Sequence, residues 1–114
     1  MAKVLLLGLE HSITEDLHQA LTQLGHYVQL ATLDQRALET TDADLIFAPS
    51  ADLRAILRTR NDLPVVVASR LPEVNAWLDA LQDGAADYCG APFEATQLRW
   101  ILNSTLGCAQ AWAA

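Results

Sequence analysis

Few side chains in this chain of 114 residues could do chemistry, and most of them follow short apolar runs. Glu10, His11 and Ser12 come soon after Val4-Leu5-Leu6-Leu7. Pro49, Ser50 and Asp52 follow Leu45-Ile46-Phe47-Ala48, and Ser69 with Arg70 follows Pro64-Val65-Val66-Val67-Ala68. His11 with Ser50 or Ser69 has the residue types of a base and a nucleophile, which must be in hydrogen-bond contact to act together. No G-x-S-x-G spacing supports that pairing. The chain therefore reads as no enzyme, with no catalytic residues. His18, on the polar side of a helix, and His26, in a turn, read as solvated. Cys89 and Cys108 have neither metal-type spacing nor a disulfide framework around them. Gly8-Leu9-Glu10-His11-Ser12-Ile13 lacks the later glycines of a dinucleotide-binding turn. Neither a metal nor a cofactor is expected.

Composition narrows the partners. The length suits one domain with its own core, the 52% apolar content supports that core, and only 18% of residues are charged. A net charge of −7 argues against nucleic-acid binding, which needs clustered cations to neutralise phosphates. Arg54, Arg58 and Arg60 form the one local basic group and read as a solvated helix face balanced by Asp52 and Asp62. No apolar run approaches the roughly 20 residues that span a bilayer, and none resembles a signal peptide. No membrane association is expected, and the cytoplasm is the expected location.

Apolar runs and helical patterns alternate five times. Val4–Leu7 reads as a strand buried on both faces, and Leu17, Ala20, Leu21 and Leu24 mark a helix closed by Gly25. Ser12 or Thr14 is expected to cap that helix, with Glu15 and Asp16 in its first turn. Tyr27–Leu30 reads as a shorter edge strand and Leu33–Thr40 as a weak helix. Leu45–Ala48 is a third strand, followed by a helix through Leu53, Ile56 and Leu57. Pro64–Ala68 is the strongest strand pattern, being β-branched and uncharged. Val74, Trp77, Leu78 and Leu81 recur at helical spacing before Gly84, Ala86–Cys89 is a short fifth strand, and Phe93–Leu106 is a last helix with Leu98, Ile101 and Leu102 inward.

Such alternation implies a doubly wound, parallel (βα)5 three-layer α/β sandwich. The boundaries read as a domain over residues 1–107 and a C-terminal tail over 108–114, in which Trp112 is a packing or partner residue. In an open parallel sheet, ligands bind outside the carboxyl ends of the strands. Gly8, Leu9, Glu10, Pro49, Ser69 and Ala91 stand at those ends.

The run Asp83-Gly84-Ala85-Ala86-Asp87-Tyr88-Cys89-Gly90-Ala91-Pro92-Phe93 resembles the closing segment of two-component response-regulator receiver domains, written GA-x-D-Y-x-x-K-P-F. Lys3–Ile13 resembles the family's opening strand, Asp44–Pro49 its D-L-[IV]-L-x-D, and Pro64–Ser69 its fourth strand with the closing Ser/Thr position. The resemblance covers roughly residues 3 to 106 and implies the CheY-like strand order 2-1-3-4-5. It also implies a cis bond at Pro92 and a signalling-state aromatic at Tyr88.

The departures from that pattern coincide. Gly8 and Leu9 stand where the family keeps its acidic pair, Pro49 where it keeps the phosphoacceptor aspartate, and Ala91 where it keeps a lysine. Only Glu10 remains of the acidic set. Magnesium needs oxygen ligands, and phosphoryl transfer to a carboxylate needs charge neutralisation. The expectation is a pseudo-receiver in a phosphorelay that works through protein partners, a homodimer being possible. The face implied by the family is the fourth helix, fifth strand and last helix, with Tyr88 and Trp100 as anchors. The alternative is a sensor that binds an uncharged small molecule in a pocket lined by Gly8, Leu9, Pro49 and Ser69.

Overall fold

Strand residues buried on both faces force helices onto both sides of the sheet, and this is the arrangement found. The computed structural model describes residues 3–31, 35–60, 62–70, 74–90 and 93–113, excepting the side chains of 35, 37, 74–77 and 106–113. The elements run β1 (Lys3–Leu7), α1 (His11–Gln23), β2 (Tyr27–Ala31), α2 (Gln35–Thr40), β3 (Leu45–Ala48), α3 (Leu53–Thr59), β4 (Val65–Ser69), α4 (Val74–Gln82), β5 (Asp87–Gly90) and α5 (Ala95–Ala113). All strand pairings are parallel and the sheet order is β2-β1-β3-β4-β5. The parallel, doubly wound sheet is the one expected from the chain's alternation, and its strand order is the one that the resemblance implied. Residues expected in the tail, 108–113, continue α5 without a break.

Side-chain alternation along the strands divides the core into two. Val4, Leu6, Leu45, Phe47, Val66, Ala68 and Cys89 face α1 and α5, meeting Ile13, Leu17, Leu21, Leu98, Ile101 and Leu102. Leu5, Leu7, Ile46, Ala48, Val65, Val67 and Tyr88 face the other way, onto Leu38, Leu53, Ile56 and Ala80. The three layers follow from that alternation, because successive strand residues point to opposite faces.

Two local expectations are corrected, and the facing of α4 is settled. Neither Ser12 nor Thr14 caps α1. The helix starts at His11 with Glu10 at the cap position, and the Thr14 hydroxyl instead donates to the Glu10 carbonyl at 2.9 Å. Glu15 and Asp16 accordingly lie beyond the first turn, where the helix dipole has little hold. On α4, Leu78 and Leu81 are exposed while Ala80 is buried. Leu78 and Leu81 lie three apart and share a face, but the helix turns its small residue to the sheet. The Val74 and Trp77 side chains lie outside those described.

The basic group on α3 is also more structured than a solvated face. Arg54 pairs with Asp83 at 3.2 Å, not with Asp52. Arg60 pairs with Asp62 at 2.9 Å and donates to the carbonyls of Leu38, Glu39 and Thr41 at 3.2, 3.3 and 3.1 Å. Those carbonyls belong to the last residues of α2 and the segment just after it, where a helix runs out of internal donors. One guanidinium thus ties α2 to the end of α3.

Candidate functional site

Because every strand runs the same way, the residues after β1, β3 and β4 meet at one rim, with β3 between the other two. Gly8, Leu9 and Glu10 follow β1, Pro49 follows β3, and Ser69 and Arg70 close β4. The structure therefore brings five of the six expected pocket residues to one edge. Ala91, the sixth, and Pro92, the expected cis-proline, lie outside the described residues.

The side chains at this rim carry little chemistry. Gly8 takes a left-handed backbone angle, φ 68°, and its N–H donates to the Ala31 carbonyl at 3.0 Å. Leu9 packs its side chain against the core cluster on the α1 side. Pro49 is extended, at φ −73° and ψ 156°, and its carbonyl accepts from the Asp52 N–H at 3.1 Å. Asp52 precedes α3 without a side-chain capping bond.

The last acid at the rim is already engaged. The Arg70 guanidinium donates to the Glu10 carboxylate at 2.8 Å, and both side chains are about half exposed or more. Since β1 and β4 flank β3, this ion pair joins the segments on either side of the end of β3. Nothing in the local sequence marks the pair, because sixty residues separate its members.

A divalent cation does not fit these residues. Magnesium prefers octahedral oxygen coordination with at least one carboxylate. Here two positions lack side-chain oxygen, a third is proline, and the fourth is held by an arginine. Among the described residues, no group of three or more His, Cys, Asp or Glu is arranged to hold a metal.

The remaining candidates separate. His11 is exposed and its Nε2 lies 3.0 Å from Glu15, on its own helix. The Cys89 thiol is buried, and that burial pushes its pKa up to about 12, with Asp87 adding in the same direction. Such a thiol stays protonated and unreactive at neutral pH. Of the two proposed interface aromatics, Trp100 is 65% exposed on α5, whereas Tyr88 is 9% exposed and packs on the α2–α4 side of the sheet. Tyr88 therefore offers no exposed anchor here. Leu78 and Leu81 on α4 provide exposed apolar surface instead.

No protein-family model matches the chain, and no curated protein matches it by sequence. Solved structures do. NtrX from Brucella abortus superposes with a TM-score of 0.80 at 23% identity, over 98% of this chain and 29% of that one. A CheY-like response-regulator receiver domain from Methanospirillum hungatei gives 0.78 at 15% identity, covering 97% and 98% of the two chains. The beryllofluoride-activated NtrC4 receiver-domain dimer gives 0.76 at 22% identity, covering 94% and 98%. The chain has the response-regulator receiver fold, and it spans less than a third of the NtrX chain and nearly all of the isolated receiver domains.

Proposed function

We propose that this chain is a pseudo-receiver: a cytoplasmic signalling module on the receiver fold that acts through protein contacts, performs no catalysis and accepts no phosphoryl group. The Glu10–Arg70 ion pair across the end of β3 carries this reading. A phosphorylatable rim concentrates negative charge that a cation and a lysine then balance. This rim balances Glu10 internally and offers Pro49 where a nucleophile would stand. Residues 1–107 would constitute the receiver-like unit.

The partner surface we assign is the outer side of α4, β5 and α5, where Leu78, Leu81 and Trp100 are exposed. Large aromatics dominate many interface hot spots, and Trp100 leads this patch. The NtrC4 structure, described as a receiver-domain dimer, supports a second copy as one occupant of such a face; another signalling protein is the other. The net charge of −7 supports protein partners over nucleic acid.

The deciding experiment adds a small phosphodonor, or beryllofluoride with magnesium, and follows backbone amide resonances. The expected spectrum is unchanged. Magnesium-dependent shifts centred on residues 8–10, 49 and 69 would remove the proposal.

A further inference from the structure

The sheet has one edge whose chemistry the proposed function leaves unused. β2 pairs with β1 alone, residue for residue from Tyr27 to Ala31, and among the described residues no strand lies beyond it. In an extended strand the N–H and C=O of one residue point to the same side, and successive residues alternate. Gly8 donates to the Ala31 carbonyl, so Ala31, Gln29 and Tyr27 turn their main-chain groups toward β1. Val28 and Leu30 therefore direct two N–H and two C=O groups away from the sheet.

Sheet edges are ordinarily protected by charge, proline or a bulge. The strand Tyr27-Val28-Gln29-Leu30-Ala31 has none of these. Tyr27 is 60% exposed and Leu30 57%, an unusual pairing of apolar side chains with an open ladder. Open grooves also lie on both faces beside this edge. One, of about 360 Å³, runs from Leu30 past Leu9 to His11. The other, of about 530 Å³, runs from Leu30 past Gln29 to Asp42.

We propose that β2 is a strand-addition site for an extended, uncharged-to-basic segment of a partner polypeptide, which hydrogen-bonds to Val28 and Leu30. Side chains of an added strand alternate between the two faces, so neighbouring ones enter the two grooves in turn. Main-chain bonds would supply attachment and the grooves selectivity. The occupant is a foreign segment and not a second copy. Two copies would each bring a net charge of −7 to the same edge. A basic segment is drawn to the same charge.

The test uses the full chain as bait for a displayed library of random peptides about ten residues long. The peptide that emerges is synthesised and titrated into isotopically labelled protein. Expected are shifts and new exchange protection at the Val28 and Leu30 amides, with binding about tenfold weaker for Leu30→Pro, the loss of roughly one hydrogen bond. That variant deletes an outward N–H and leaves the bonds to β1 in place. Should it not fold, the exchange protection in wild type decides alone. Selection of no peptide, shifts confined to the surroundings of Trp100, or unchanged affinity in a folded Leu30→Pro would each refute the site. Self-association abolished by Leu30→Pro would refute the assigned occupant.

Discussion

The Glu10 carboxylate and the Arg70 guanidinium meet at 2.8 Å across the end of β3. Their exposure makes the pair a weak contributor to stability, of the order of 0–1 kcal/mol. Its importance is what it leaves unavailable. Arg70→Ala should therefore melt close to wild type. Magnesium titration should leave the amide spectrum of either protein unchanged, because one released carboxylate still makes a poor octahedral site. Magnesium binding by Arg70→Ala would mean that the arginine alone had been blocking a competent site.

Trp100 stands out from α5 beside a core-facing Ile101. Sedimentation should show wild type associating with itself or with a purified partner, and Trp100→Ala should lose that association while its melting temperature stays within experimental error of wild type. An exposed site away from packing rarely shifts stability by more than about 0.5 kcal/mol. Equal association of the two proteins would exclude Trp100 from the interface.

Gly84 sits at φ +108°, and a Cβ built there would lie 2.9 Å from Leu57 Cδ1. Gly84→Ala combines backbone strain with that contact, for a loss of about 1–3 kcal/mol. Thermal unfolding should then drop by several degrees, at roughly 4 °C or more per kcal/mol for a domain this size.

Burial lowers the His26 imidazole pKa below its ordinary 6.5. The folded state thus binds fewer protons at this site than the unfolded chain does, and stability falls as pH drops. The contribution is complete above 6.5 and is lost as pH falls through the folded value. Melting curves between about pH 7.5 and 5.5 should decline less steeply for His26→Gln than for wild type. Parallel declines would dissociate His26 from the effect.

The Cys89 thiol, raised to about 12, should resist alkylation in the native protein and react fully once denatured. The measurement belongs in a Cys108→Ser background so that one thiol is counted. Rapid native labelling would show that the strand opens locally.

The layout of the molecule was legible because strand burial and helix period are local signals. β4 opens with three β-branched valines, Val65–Val67, and is buried over its first four residues, and the Leu17–Leu21 spacing of α1 points inward as its period requires. The scarcity of side-chain oxygen at the ends of β1 and β3 was legible for a related reason: the identities of Gly8, Leu9 and Pro49 fix which atoms those positions carry. What escaped depends on contacts between distant segments. Arg70 reaches Glu10 and Arg60 reaches the carbonyls at the end of α2 only after folding. The exposure of Leu78 escaped because spacing fixes which residues share a face without saying which face meets the sheet.

Gly8 has a consequence for the molecule's history and its engineering. A residue bearing a carboxylate at position 8 must adopt φ 68°, a left-handed angle costing about 1–2 kcal/mol for most residues and less for aspartate, or surrender the amide contact that seats Ala31. Building a metal-dependent switch at this rim therefore starts uphill, before a single ion is gained. On the proposed pseudo-receiver reading, grafting phosphorylation onto the scaffold calls for rebuilding the first loop rather than exchanging one side chain.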